Sequence, residues 1–222
     1  MKTLSSVILI TMISLSCMES ELPAQGEYKM TTYTTEDGGQ IEATLFEASA
    51  EKAIIYAHGA VFNKESWYFL AERFQRVGIT SLCIDFRGYG NSTASNISQK
   101  YYDILGAFAY LKESGYSEIY VIGGSMGGAA VLEAIDRLNQ PSIAKAVLLA
   151  PAGGPPIQSS SIEKLIVVSR NEGLYSRVKT IFKESADPKT LKEYEGSAHA
   201  QHMFKEAYAE ELTKLIVDFI VK

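Results

Sequence analysis

The chain has 222 residues, 46% hydrophobic and 21% charged, with a net charge of −5. That length and balance bury one sizeable core and call for no second domain. An acidic chain without a clustered basic face excludes a phosphate-backbone partner, so no nucleic-acid binding is expected.

Taken in order, Lys2 precedes an apolar run from Val7 to Leu15, followed by Ser16, Cys17 and the polar Met18-Glu19-Ser20-Glu21. One positive charge, a short hydrophobic stretch and small residues at its end predict an export signal over residues 1–17, too short to span a bilayer comfortably as a helix. Cys17 stands where a bacterial lipoprotein is cut and lipidated, and the segment resembles such signals; simple cleavage near Ser16 is the alternative. The expectation is an exported bacterial protein, periplasmic or attached to the cell envelope through a lipidated Cys17. Residues 18–26 read as a polar linker, and 27–222 as the folded domain. The only other cysteine, Cys83, lies in an apolar stretch and is expected to be a buried small hydrophobe without a disulfide partner in the mature chain.

Residues 28–34 and 41–47 alternate apolar and polar positions around the turn signal Glu36-Asp37-Gly38-Gly39, which predicts an antiparallel hairpin. The near-continuous apolar run 53–57 suits a strand buried in a parallel sheet and ends in His58-Gly59-Ala60. Strands and helices then alternate: helix 64–77, strand 79–85, helix 98–114, strand 118–123, helix 127–139, strand 144–150, a loop rich in glycine, proline and serine at 151–161, strand 163–169, helix 175–184, strand 190–194 and a closing helix 202–221. Regular alternation of this kind means a mostly parallel sheet with helices on both faces.

One stretch organises this layout. Gly123-Gly124-Ser125-Met126-Gly127 lies between a β-branched strand and a helix, and fits the pattern G-x-S-x-G. A serine on so sharp a turn needs neighbours without side chains two residues before and after it. The turn lifts the hydroxyl out of the sheet and aims the first amides of the helix, notably the Met126 N–H, at whatever binds there. A serine hydroxyl is a weak nucleophile, so it needs a base within reach and a third group to orient that base. Three histidines are available, His58, His199 and His202. Ligands of open parallel sheets bind at the carboxyl ends of strands, the edge where Ser125, His199 and the loop after Ser169 fall.

His58-Gly59-Ala60, the loop Asp85-Phe86-Arg87-Gly88-Tyr89-Gly90-Asn91-Ser92, the glycine-rich turn at Ser125 and Gly196-Ser197-Ala198-His199 occur in an order and spacing that resemble the α/β-hydrolase superfamily, and within it the small single-domain bacterial esterases. The resemblance implies an α/β-hydrolase fold with an N-terminal antiparallel hairpin and no lid domain, since only a short loop stands where the family often inserts one. It also implies a triad in the order serine, acid, histidine: Ser125 as nucleophile, Glu172 as acid and His199 as general base, with the N–H groups of Ala60 and Met126 as oxyanion hole. His202 is the rival base and Asp187 the rival acid. Glu172 stands where aspartate is usual. His58, Asp85 and Arg87 read as loop-bracing residues, and Tyr89 or Trp67 as packing or pocket lining.

The function so implied is hydrolysis of small or short-chain carboxylic esters through an acyl-serine intermediate. A thioesterase, an amidase or peptidase with the same triad, and a non-catalytic binding protein on the same scaffold are the alternatives. No metal or other cofactor is expected, because no histidine–carboxylate cluster has ligand spacing.

Overall fold

The structure, a computed structural model, describes residues 26–48, 51–138 and 143–222. The expected export signal, Cys17 and all of the linker but Gly26 lie outside the described residues. The hairpin forms from β1 (Lys29–Thr34) and β2 (Gln40–Phe46), closed by Gly38 N–H donating to the Thr35 carbonyl at 2.9 Å. The remaining strands are β3 (Lys52–Ala57), β4 (Thr80–Ile84), β5 (Glu118–Gly124), β6 (Ile143–Leu149), β7 (Glu163–Ser169) and β8 (Lys189–Tyr194). They form one sheet in the order β1-β2-β4-β3-β5-β6-β7-β8, antiparallel through β4 and parallel from there on. The chain winds outward from β3 to β4 and then returns to β5, so the strand order reverses between β3 and β5. A crevice at the carboxyl ends of those two strands follows from the reversal.

Among the described residues five α-helices cover the sheet: α1 (Tyr68–Arg76), α2 (Tyr101–Glu113), α3 (Met126–Arg137), α4 (Tyr175–Glu184) and α5 (Ala209–Val221). Successive strand residues point to opposite faces. Ile55 accordingly joins Leu82, Val121, Ala107, Val131 and Val178 under α2, α3 and α4, whereas Ile54 and Tyr56 join Phe74, Ile122 and Ile216 under α1 and α5. These side chains are fully buried, and each valine, leucine or isoleucine stabilises the fold by about 1.5–3 kcal/mol relative to exposure. Cys83 is buried, as expected.

Three helix boundaries depart from the sequence reading. The segment expected as helix 64–77 begins as a 3-10 turn, Lys64–Trp67, before α1. The helix expected from Ser98 begins at Tyr101, because the Asn96 side-chain oxygen accepts both the Ser98 N–H (3.0 Å) and the Ser98 hydroxyl (2.6 Å), an alternative to helical pairing. The closing helix is interrupted: a 3-10 segment Ala200–Lys205 precedes α5, and Glu206 between them is extended. In one continuous α-helix Met203 and Leu212 would face opposite directions, at about 100° per residue. Both are buried against the same core, so the register must restart. Tyr208 seats the new start by stacking on Tyr194, ring centroids 4.0 Å apart.

Candidate active site

Ser125 sits between β5 and α3 with φ at 52°, a conformation that side-chain-bearing residues rarely adopt. The surroundings hold it there. Its N–H donates to the Leu149 carbonyl at 2.9 Å, and its carbonyl accepts the N–H groups of Ala129 and Ala152 at 3.0 Å each. The two flanking glycines are sterically required: a side chain at Gly127 would enter the Ala57 carbonyl, and a Cβ at Gly123 would lie 2.9 Å from the Gly127 carbonyl oxygen. The turn therefore closes only because β3, β5 and α3 meet without side chains between them.

Glu172 and His199 reach this serine from the loops that follow β7 and β8. His199 Nε2 lies 2.8 Å from Ser125 Oγ, and His199 Nδ1 lies 2.5 Å from Glu172 Oε2. A carboxylate only accepts, so Nδ1 carries the proton and Nε2 is left to accept the serine hydroxyl. The Glu172 side chain is 3% exposed, and its second oxygen, Oε1, has no partner among the described residues. The two loops are tied to each other. Arg170 N–H donates to the Tyr194 carbonyl and Asn171 N–H to the Gly196 carbonyl, both at 2.9 Å, and the Ser169 hydroxyl donates to the Ala198 carbonyl at 2.6 Å.

The turn after β3 closes the other side. A Cβ on Gly59 would be 3.5 Å from Ser125 Cβ, so His58-Gly59-Ala60 lies directly beside the serine. Among the described residues, neither the Ala60 N–H nor the Met126 N–H makes a hydrogen bond, which leaves both amides available at the crevice. His58 holds the turn. It is completely buried, and burial keeps its imidazole below the usual histidine pKa and neutral. Its Nε2 accepts the Phe86 N–H at 3.2 Å, so its Nδ1–H donates to the Gly59 carbonyl at 2.8 Å.

The other residues singled out in the sequence separate cleanly. His202 packs its ring 5.0 Å from that of Phe62 and donates its backbone N–H to the His199 carbonyl, whereas the serine hydroxyl is bonded by His199. Asp187 precedes the start of β8, and in a parallel sheet that is the edge opposite Ser125. Trp67 is completely buried and packs 5.7 Å from Tyr56, which excludes it from a pocket wall. Tyr89 does reach the crevice, donating its hydroxyl to the Ala60 carbonyl at 3.0 Å. Asp85 accepts the Lys64 N–H at 2.8 Å and its ammonium at 2.5 Å, and Arg87 donates to Asp103 (2.7 Å) and to Asp37 (2.6 Å), so both brace loops. The Arg87 guanidinium holds the Asp37 carboxyl down at about 2.

Sequence reasoning missed Gln201, a buried polar residue whose amide bonds Gly59 and Ser66. It also missed Ala200, whose φ of 49° turns the chain between His199 and Gln201. Only the placement of a glutamine in the apolar company of Ala200 and Met203 hinted at an inward-facing amide.

Residues 48–212 match the protein family described as serine aminopeptidase, S33. No curated protein matches the chain significantly. Solved structures similar in fold include an esterase of Pyrococcus furiosus (19% identity, 87% of this chain and 90% of that one, TM-score 0.71) and an esterase of Exiguobacterium antarcticum (15%, 87% and 100%, TM-score 0.73). A third is Est1E of Butyrivibrio proteoclasticus with ferulic acid bound (18%, 86% and 100%, TM-score 0.69). The sheet order, the helices on both faces and the family match together make this chain a hydrolase of the α/β-hydrolase fold, belonging to the serine aminopeptidase S33 family.

Proposed function

We propose that the protein hydrolyses small or short-chain carboxylic esters through an acyl-serine intermediate. Ser125 Oγ attacks the ester carbonyl while His199 Nε2 takes its proton; Glu172 keeps Nδ1 protonated and stabilises the imidazolium. The oxyanion that forms accepts the N–H groups of Ala60 and Met126. Collapse of the tetrahedral species expels the alcohol, to which His199 returns the proton. Water then attacks the acyl-serine by the same route and releases the acid.

The observation that carries this reading is the unbroken chain from Ser125 Oγ through both nitrogens of His199 to Glu172, at 2.8 and 2.5 Å. The preference for short acyl groups is supported by the segment between β6 and β7, in which the described residues form no helix to roof the crevice. Ser125→Ala should remove turnover of p-nitrophenyl acetate while the thermal melt stays in place; retained turnover would refute the mechanism. Long-chain esters hydrolysed faster than acetate would refute the chain-length preference.

The family description favours a second reading, peptide or amide cleavage with the same residues. Aminoacyl p-nitroanilides turned over faster than p-nitrophenyl esters would select it. A folded, ligand-binding but inert protein would select the non-catalytic alternative. The proposal extends to export, with the mature chain periplasmic or held at the envelope through Cys17; absence of palmitate labelling that depends on Cys17 would refute the anchor.

A further inference from the structure

Gln201 is 4% exposed and lies two residues beyond His199. Its Oε1 accepts the Gly59 N–H at 2.8 Å, and its Nε2 donates to Ser66 Oγ at 2.6 Å. The Ser66 hydroxyl in turn donates to the Asn63 carbonyl at 2.6 Å. One side-chain amide thus spans the segment from the end of β3 to the 3-10 turn. The room for it is made by glycines: a Cβ at Gly124 would be 2.9 Å from Gln201 Oε1, and one at Gly59 3.1 Å. The amide oxygen is wedged between the two turns that follow β3 and β5.

We propose that Gln201 is a positioning residue that sets the oxyanion hole by fixing the His58–Gly59 peptide, the plane next to the one that carries the Ala60 N–H, beside Ser125. The inference rests on the assignment of Ser125 as nucleophile and of the Ala60 N–H as oxyanion donor. Glycine is the residue with the most backbone freedom, and here both of its peptide planes are pinned. Gln201 holds the plane before Gly59 through the N–H. The plane after it, which carries the Ala60 N–H, is held through the Gly59 carbonyl by His58 Nδ1–H (2.8 Å) and the Phe62 N–H (3.0 Å). With the first plane released, the Gly59 carbonyl contacts alone hold the plane that carries the Ala60 N–H, and its aim loosens although the Ser125, His199 and Glu172 contacts remain. Preorganised donors act because they need no rearrangement when charge develops, so loosening one costs rate more than substrate binding. The positive φ of Ala200 lets one tripeptide turn His199 toward the serine and Gln201 toward its oxyanion loop.

The test compares wild type, Gln201→Met, Gln201→Glu and Ser66→Ala in hydrolysis of p-nitrophenyl acetate, with rates normalised to sites titrated by a fluorophosphonate. Gln201→Met, similar in size but without the acceptor, should lower kcat about 10- to 100-fold, with KM changed less than about threefold and the pH midpoint unmoved. Gln201→Glu keeps an acceptor for the Gly59 N–H and should recover part of that loss. Ser66→Ala frees only the far end and should lower kcat about threefold at constant KM. Wild-type kcat per titrated site in Gln201→Met overturns the inference; if that variant does not fold, wild-type kcat in Ser66→Ala does so. A rise in KM at constant kcat also overturns it. A wild-type chain that neither turns over nor is labelled overturns the ester-hydrolase reading and this one with it. Turnover in wild type beside unaffected variants overturns this one alone.

Discussion

At the end of β5, Ser125 is held by backbone against backbone: two strands and a helix meet so closely that Gly123 and Gly127 have no alternative, and the serine adopts φ 52° as a result. At the ends of β7 and β8, Glu172 and His199 are held by a ladder of hydrogen bonds between two loops, from the Ser169 hydroxyl to the Asn171 N–H. The first region is fixed by hard contacts that cannot be partly lost. The second is fixed by directional contacts worth roughly 0.5–1.5 kcal/mol each, which can be removed singly. Changes in the two regions should therefore fail differently, the first in folding and activity together, the second in activity with the fold preserved.

The largest effect is expected from Gly127→Ala, whose added carbon enters the Ala57 carbonyl. Activity should fall below detection and stability by about 1–3 kcal/mol, as overpacking does, read as a fall of several degrees in the thermal melt. A variant with normal Tm and activity would break the comparison at its rigid end. Next comes Glu172→Gln, which leaves the size unchanged but no longer requires a proton on Nδ1. A loss in kcat on the order of 10³–10⁴ is expected, with Tm unchanged. Glu172→Asp should restore activity to within about 100-fold of wild type, the shorter arm misplacing the carboxylate by about 1 Å. Smaller again is Ser169→Ala, which removes the bond to the Ala198 carbonyl and a long contact (3.5 Å) with the Tyr208 hydroxyl, and should cost about 1 kcal/mol, or a few-fold in kcat.

The last effect is on stability alone and concerns His58. His58 is buried neutral, with its folded pKa below the unfolded value, so on acidification the unfolded chain takes up the proton first. Its stabilising contribution is present above about pH 6.5 and is lost as pH falls, with a slope of at most about 1.4 kcal/mol per pH unit. Urea midpoints measured from pH 7.5 to 5 should decline less steeply in His58→Gln than in wild type; parallel slopes would show that His58 is not neutral in the fold.

The same contrast decides what the sequence made legible. The hairpin, the strand alternation and the turn at Ser125 were readable because burial of apolar runs and the glycine requirement are local and written in order. His199 and Glu172 were reachable only through the family's chain order, since nothing near Asn171 announces that its N–H will meet the Gly196 carbonyl. Gln201 was invisible for a stronger reason. Its partners Gly59 and Ser66 lie well over a hundred positions away, and its inward direction depends on the backbone of Ala200, an alanine where the positive φ would suggest glycine. The break before α5 has a signal in the sequence only once both ends are known to be buried: Met203 and Leu212 stand nine positions apart, a spacing that one helical face cannot hold.

Reaction of the purified protein with a fluorophosphonate, followed by mass mapping of the adduct, tests the proposed mechanism most directly. A single covalent adduct on Ser125 is expected, formed rapidly in wild type and at least about 10³ times more slowly in Glu172→Gln. Folded protein that remains unlabelled, or an adduct on another serine, would contradict it.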